Sequence, residues 1–304
     1  MFRILFSLLA LLPLTPLPAQ EVRSYASQVN DVDAVNSHWF ETADGVVLID
    51  AQRILPEAER ALRHLRATTA KPVTAIFITH PHTDHYGGLP VWKAAYPDAV
   101  VYATAATLRS IREDSRGYNA ARLERHGERF PTQAALDAAV SEARVVEDGQ
   151  RMSIGDTAIA LREFGPSEAE STLVLSITDG AKVFIGDLIN IGVPAVPFES
   201  GDSWLDQLAE IERLYAASSL YQGHGPAPIA AAAVADQRRF LLALRDLVAS
   251  RTSDRRLSAA EQDAIVFALE ARWPFYMGVA GNTRQEILAF GARLVAEQMG
   301  AVVE

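Results

Sequence analysis

The chain contains no cysteine. Disulfides, thiolate metal ligands and a cysteine nucleophile are all excluded, so any transition metal must be held by imidazole and carboxylate alone. There is no basic run either. Lys and Arg total 28 against 38 Asp and Glu, a formal charge of −10. Arg238-Arg239 and Arg255-Arg256 lie among acidic and apolar residues, as on solvated helix faces. No nucleic-acid partner is therefore expected, and a small-molecule substrate is. Histidine is scarce at 7 residues, so its placement is informative. No apolar run approaches the roughly 20 residues needed to cross a bilayer.

The N-terminus differs in composition from the rest. Met1-Phe2-Arg3 is followed by apolar Ile4–Leu12, then a proline-containing stretch to Pro18-Ala19. This layout predicts a signal peptide over residues 1–19, cleaved near Ala19. The mature chain, 20–304, is then expected to be periplasmic or secreted, with no membrane attachment after cleavage.

Hydrophobic periodicity predicts strands over residues 34–41 and 46–50, joined at Asp44-Gly45, a favourable hairpin pair. A helix is predicted over 56–69, a buried strand over 73–79, a helix over 88–96 and a strand over 100–103. Residues 104–143 are charged and helical, with breakers at Gly117 and Gly127, and read as a helical insertion. Strands follow at 151–154, 158–164, 172–178, 182–185 and 220–222, with a helix over 203–217. From about 228 to 304 the pattern is helical. Two packed sheets flanked by helices accommodate this order.

The segment Thr79-His80-Pro81-His82-Thr83-Asp84-His85-Tyr86-Gly87-Gly88 leaves the predicted buried strand. It concentrates three imidazoles and a carboxylate within six positions, a set that a loop can fold around a metal ion. Zinc suits these donors, and iron or manganese are compatible with them. Gly87-Gly88 is read as permitting a sharp turn into the next helix.

His-x-His-x-Asp-His after a buried strand resembles the signature of the metallo-β-lactamase superfamily. The likeness extends over roughly 30–230. Gly45–Asp50 is similar to the family's early strand ending in aspartate, Ile185-Gly186-Asp187 to its bridging-aspartate strand, and Gly223-His224-Gly225-Pro226 to its last histidine motif. The resemblance implies an α/β fold, an αββα sandwich of two mixed β-sheets flanked by helices, with two metal sites. His80 and His82 would serve the first site and Asp84, His85 and His224 the second, with Asp187 bridging. Where the family usually places a third histidine on the first metal, the loop reads Gly165-Pro166-Ser167-Glu168-Ala169-Glu170-Ser171-Thr172. Glu168 falls in the expected register, and Ser-Glu-Ala resembles the Thr-Glu-Ala of the alkylsulfatase branch. Glu168 is thus the candidate third ligand, with Glu170 as its competitor. Exchanging neutral imidazole for carboxylate lowers the formal charge of the site by one and predicts an alkaline pH optimum.

The implied activity is hydrolysis of a small organic ester, lactone, lactam or sulfate ester by a hydroxide bound between two Zn2+ ions. Asp84 and Asp187 would be the catalytic carboxylates, and Asp50 and Thr79 would steady the ligand imidazoles. Two readings compete. A di-iron redox enzyme of the same fold usually carries glutamate where this chain has Thr83. A non-catalytic binding protein would keep only a weakened metal site. His64 and His126 are expected at the surface. His38 is expected to be structural, with contact to substrate as the alternative. The apolar 190–198 segment, Trp39, Tyr86, Trp204 and Phe275-Tyr276 are candidate pocket walls.

Overall fold

In a computed structural model, residues 20–27, 35–178, 180–278 and 282–304 are described. The expected signal peptide lies outside them. The first half forms strands β1 (Val22–Ala26), β2 (Asn36–Glu41) and β3 (Val46–Ile49), then helix α1 (Leu55–Thr68) and strand β4 (Val73–Phe77). Helices α2 (Thr83–Tyr86) and α3 (Leu89–Ala95) precede β5 (Val100–Ala103). Helices α4 (Ala105–Glu113), α5 (Tyr118–His126) and α6 (Gln133–Ala139) lead to β6 (Arg144–Val145). The six strands make one sheet in the order β1-β2-β3-β4-β5-β6. The β2–β3 hairpin is antiparallel, and β3 through β6 run parallel.

Parallel neighbours need crossovers, and these supply the helices on the outer face. In β3, Val46 and Leu48 enter the core against α1 and α3, while Val47 and Ile49 face the second sheet. With both faces covered, the strand is uninterruptedly apolar, as the sequence Val-Val-Leu-Ile requires. The stretch 104–143 makes the β5–β6 crossover. Its Leu108, Ile111, Leu136 and Val140 belong to the same helix-covered core. Gly117 and Gly127 bound α5, both at positive φ.

The second half gives β7 (Arg151–Ile154), β8 (Thr157–Phe164), β9 (Thr172–Ile177), β10 (Lys182–Gly186), α7 (Gly201–Tyr215), β11 (Ser219–Gln222) and β12 (Ile229–Ala230). They form a second six-stranded sheet, β12-β11-β10-β9-β8-β7. Between the sheets pack Phe40, Ile49 and Phe77 from one and Leu161, Leu175 and Phe184 from the other. Helices α8 (Ala233–Ala249), α9 (Ala259–Arg272) and α10 (Arg284–Gln298) join α7 on the outer face. Capping boxes Ser258/Glu261 and Thr283/Glu286 start α9 and α10, satisfying amides that helix geometry leaves unpaired. The result is the αββα sandwich that the sequence predicted. Beyond the predicted elements it adds β1, the short β6 and β12, and a parallel pairing of Arg256–Leu257 with Val302–Val303. Among the described residues, no helix is long and apolar enough to cross a membrane.

Candidate metal centre

The site gathers where strands of both sheets end. Beyond β4, Thr79 accepts the Nδ1–H of His80 (2.9 Å) and donates its own hydroxyl to Asp50 (2.9 Å). Asp50 follows β3 in the left-handed region, φ 61°, and takes the Nδ1–H of His85 at 2.8 Å. Both imidazoles thereby keep Nε2 for the cluster, with tautomer and ring angle fixed from behind. Gly87 and Gly88 have ordinary helical angles, so they do not serve the sharp turn expected of them. They are small because the chain after β3 passes over them. A Cβ would stand 2.0 Å from the Arg53 carbonyl at Gly87 and 2.0 Å from the Ala51 carbonyl at Gly88.

Asp187 follows β10, and His224 follows β11. Gly223 permits their approach, since a Cβ there would lie 1.9 Å from Asp187 Oδ1. The His224 loop is clamped to β2 by the Asn36 amide, which donates to the carbonyls of Gln222 (3.0 Å) and Gly225 (2.9 Å). The Glu168 loop is held by Ser167, whose carbonyl accepts the amides of Glu199 and Ser200 at the start of α7.

All seven residues singled out from the sequence converge. Ligand atoms of His80, His82 and Glu168 lie within 4.8 Å of one another, as do those of Asp84, His85 and His224, and of His80, His85 and Asp187. Asp187 Oδ2 is 3.8 Å from His80 Nε2, 3.6 Å from His85 Nε2 and 3.0 Å from His224 Nε2, so it lies between the two outer sets. Glu168 is buried, with Oε1 2.8 Å from His82 Nδ1 and Oε2 3.6 Å from His80 Nε2. Glu170 instead points out toward Arg116, at 3.7 Å.

These residues fit divalent metal. Two atoms each bonded at about 2.1 Å to tetrahedral zinc stand about 3.4 Å apart, the scale of the separations above. His80 Nε2, His85 Nε2, Glu168 Oε2 and Asp187 Oδ1 are buried without a hydrogen-bond partner among the described residues. Buried polar atoms are rarely left so. Among the described residues, four buried carboxylates, Asp50, Asp84, Glu168 and Asp187, share the site with one buried guanidinium, Arg53. Such a surplus of negative charge calls for cations.

Electrostatics point the same way. Burial opposes protonation of His85, yet Asp50, Asp187 and Asp84 hold it well above the usual imidazole range. His224 is likewise opposed by burial but raised to about 10 by Asp187 and Asp84. Burial, aided by His85, holds His80 well below its ordinary value. Burial would raise Asp84 and Asp187, but Arg53 and His85 pull Asp84 well down, and His224 and His85 do so for Asp187. Burial pushes Glu168 upward, partly offset by His82.

Sequence reasoning missed Arg53. It is buried, with its guanidinium 3.1 Å from Asp84 Oδ2. The available signal was its place three residues after the strand-end Asp50. Arg53 adds one positive charge that the count behind the alkaline-optimum expectation omitted, and it offsets the carboxylate of Glu168. His38 is structural: Nε2 donates to the Gln222 carbonyl at 2.9 Å, and Nδ1 pairs with the Ser24 hydroxyl at 2.7 Å. His64 is exposed. His126 is half-buried instead of fully at the surface, because α5 folds against the Arg53 side of the site.

A pocket of about 530 Å³ opens onto His82, Asp84, Glu168, Asp187 and His224. Val193, Pro194, Val196 and Phe198 line it, as expected of the 190–198 segment. Trp39, Tyr86, Trp204 and Tyr276 do not; all four are core residues, and Phe275 is exposed. Their place is taken by Ile287 and Phe290 of α10.

The model of the metallo-beta-lactamase superfamily matches residues 30–251, and the chain belongs to that superfamily, whose members are mostly hydrolytic enzymes that bind metal. Solved structures share the fold at low identity. A metallo-beta-lactamase family protein from Thermus thermophilus is 18% identical with a TM-score of 0.62, covering 93% of each chain. A beta-lactamase domain protein from Burkholderia ambifaria is 18% identical with a TM-score of 0.62, covering 94% of this chain and 89% of that one. An inverting sec-alkylsulfatase from Pseudomonas sp. is 17% identical with a TM-score of 0.60; the match covers 90% of this chain but 48% of that protein. No curated protein matches the chain by sequence.

Proposed function

We propose that the chain is a zinc-dependent hydrolase of a small organic ester, lactone, lactam or sulfate ester, exported to the periplasm or beyond. The observation that carries this reading is the convergence of two ligand sets and an intervening carboxylate on the floor of an organic-sized pocket. His80, His82 and Glu168 would hold one ion and Asp84, His85 and His224 the other, with Asp187 shared. Metal bound there supplies a Lewis acid and makes water acidic enough to react near neutral pH. The chain's own residues do the positioning. Asp84, braced by Arg53 and by His224 at 3.2 Å, presents a carboxylate oxygen to the pocket and is suited to orient the attacking water. Arg53 borders the same pocket and keeps a positive charge behind Asp84. The apolar wall excludes bulk water and strengthens these charges.

The test is metal quantification on purified protein together with a chromogenic panel of esters, lactones, lactams and sulfates. The expected result is two zinc ions per chain and turnover of at least one class, lost on chelation and restored by zinc. High iron occupancy without hydrolysis would replace this reading by a redox one. Protein indifferent to chelation and inert to the whole panel would make it a binding protein.

A further inference from the structure

The pocket has two unlike ends. Its floor is the carboxylate-rich cluster. Its outer parts come from helices that supply no candidate ligand, α5 and α10. On α10, Ile287, Phe290 and Arg293 recur at every third residue and line the pocket, whereas Leu288, Ala292 and Val295 face the core. At about 1.5 Å rise per residue the stripe extends about 9 Å.

The apolar surface is continuous with the cluster. Phe198 lies edge-on to the His82 ring, 5.2 Å between centroids, and 5.6 Å from the ring of Phe290. Beyond Phe290, the guanidinium of Arg293 sits 5.7 Å from its ring centroid. This contact orients a planar fork suited to carboxylate. Arg122 of α5 lines the same pocket. It belongs to a cationic patch: burial, then Arg53, Arg122, Arg125 and Arg129, hold His126 down to about 4. Among the described residues, the lining acid outside the cluster is Glu286, whose carboxylate accepts the Thr283 amide and hydroxyl at the start of α10. In a chain of formal charge −10, the Arg293 guanidinium gives this end of the pocket a positive group that attracts anions.

We infer that the site selects substrates in which an apolar arm separates the reacting group from a remote anion, the arm lying along Phe198, Ile287 and Phe290 and the anion meeting Arg293. This inference rests on the metal-site reading above, and its test separates the two. Two probes share a metal-binding hydroxamate and chain length but differ at the far end: hexanohydroxamic acid, and the monohydroxamate of adipic acid, which ends in carboxylate. Their affinities for zinc-loaded protein are compared by calorimetry at low and high salt. The carboxylate-ended probe should bind at least tenfold more tightly at low salt, with the advantage shrinking as salt rises. Arg293→Gln should erase most of the difference, with zinc content showing the cluster intact. Phe290→Ala should weaken both probes. Equal binding of the two probes by the wild-type protein, with zinc bound, overturns the inference and leaves the metal site standing. Failure of both to bind zinc-loaded protein overturns the inference together with the reading on which it rests.

Discussion

The floor of the pocket and its α10 wall are built by opposite means. On the floor, polar and titratable side chains are buried and each is oriented by a neighbour: His80 by Thr79, His85 by Asp50, Asp84 by Arg53. On the wall, Ile287, Phe290 and Arg293 are half-exposed and meet the pocket from a helix whose other face is fixed in the core. A preoriented floor fixes which chemistry is possible, while a half-exposed wall tolerates substitution and fixes which molecule receives it. Changes to the floor should therefore act on turnover and metal, and changes to the wall on affinity.

The sharpest way to break that division is at the floor. His82→Ala and Asp187→Ala should each lower kcat/KM by more than about a hundredfold, since even residues behind a metal ligand are worth 10–100-fold. Circular dichroism should show the fold retained, because both residues lie in loops at strand ends. Wild-type turnover in either variant would remove the two-metal reading, and unfolding would make the metal structural. Next is the pair in the 165–172 loop. Glu168→Ala should lose one of two metals on atomic absorption, whereas Glu170→Ala, which loosens only an exposed contact to Arg116, should keep both. The reverse pattern would shift the ligand assignment by two residues.

Arg53→Met probes the floor without touching a candidate ligand. It leaves Asp84 buried without its guanidinium, which should destabilise chelated protein by on the order of 3 kcal/mol. Zinc in the site would replace much of the lost positive charge, so urea unfolding of zinc-loaded protein should show a smaller difference. An equal loss in both states would mean that Arg53 matters for packing rather than for the charge on Asp84.

The same contrast explains what the sequence disclosed. Both sheets and the ligand cluster were legible because their signals are local. Apolar and β-branched runs bounded by turn residues mark β3, β4 and β9, and three histidines in six positions mark the floor. Asp187 and His224 were found through short flanking motifs that resemble a known family. Arg53 was not found, since an arginine after a strand reads as solvated until the fold covers it. Ile287 and Phe290 were not found either, because apolar residues on an amphipathic helix look alike whether they face core or pocket. Trp39, Tyr86 and Trp204 failed as wall candidates for the same reason: size and aromaticity do not say which side of a strand or helix a pocket lies on.

His38 supplies the smallest effect, and one that separates structural from catalytic histidine. It is buried between the sheets, near Phe184 and Tyr221, and its neutral Nε2–H tautomer satisfies both ring nitrogens. Burial lowers its pKa to about 4 from an ordinary 6.5. The folded state thus binds the proton less readily than the unfolded chain. The contribution of neutral His38 is fully present above about pH 6.5, and is lost as pH falls toward 4, by about 3 kcal/mol in full. His38→Gln keeps an amide donor for the Gln222 carbonyl and removes the titration. Between pH 7.5 and 4.5, chelated His38→Gln protein should lose about 2 kcal/mol less stability than chelated wild type, read as the difference between their urea midpoints. Every other titratable group is common to both proteins, so the difference isolates His38. Parallel loss in the two proteins would mean that the imidazole accepts its proton without leaving the folded state.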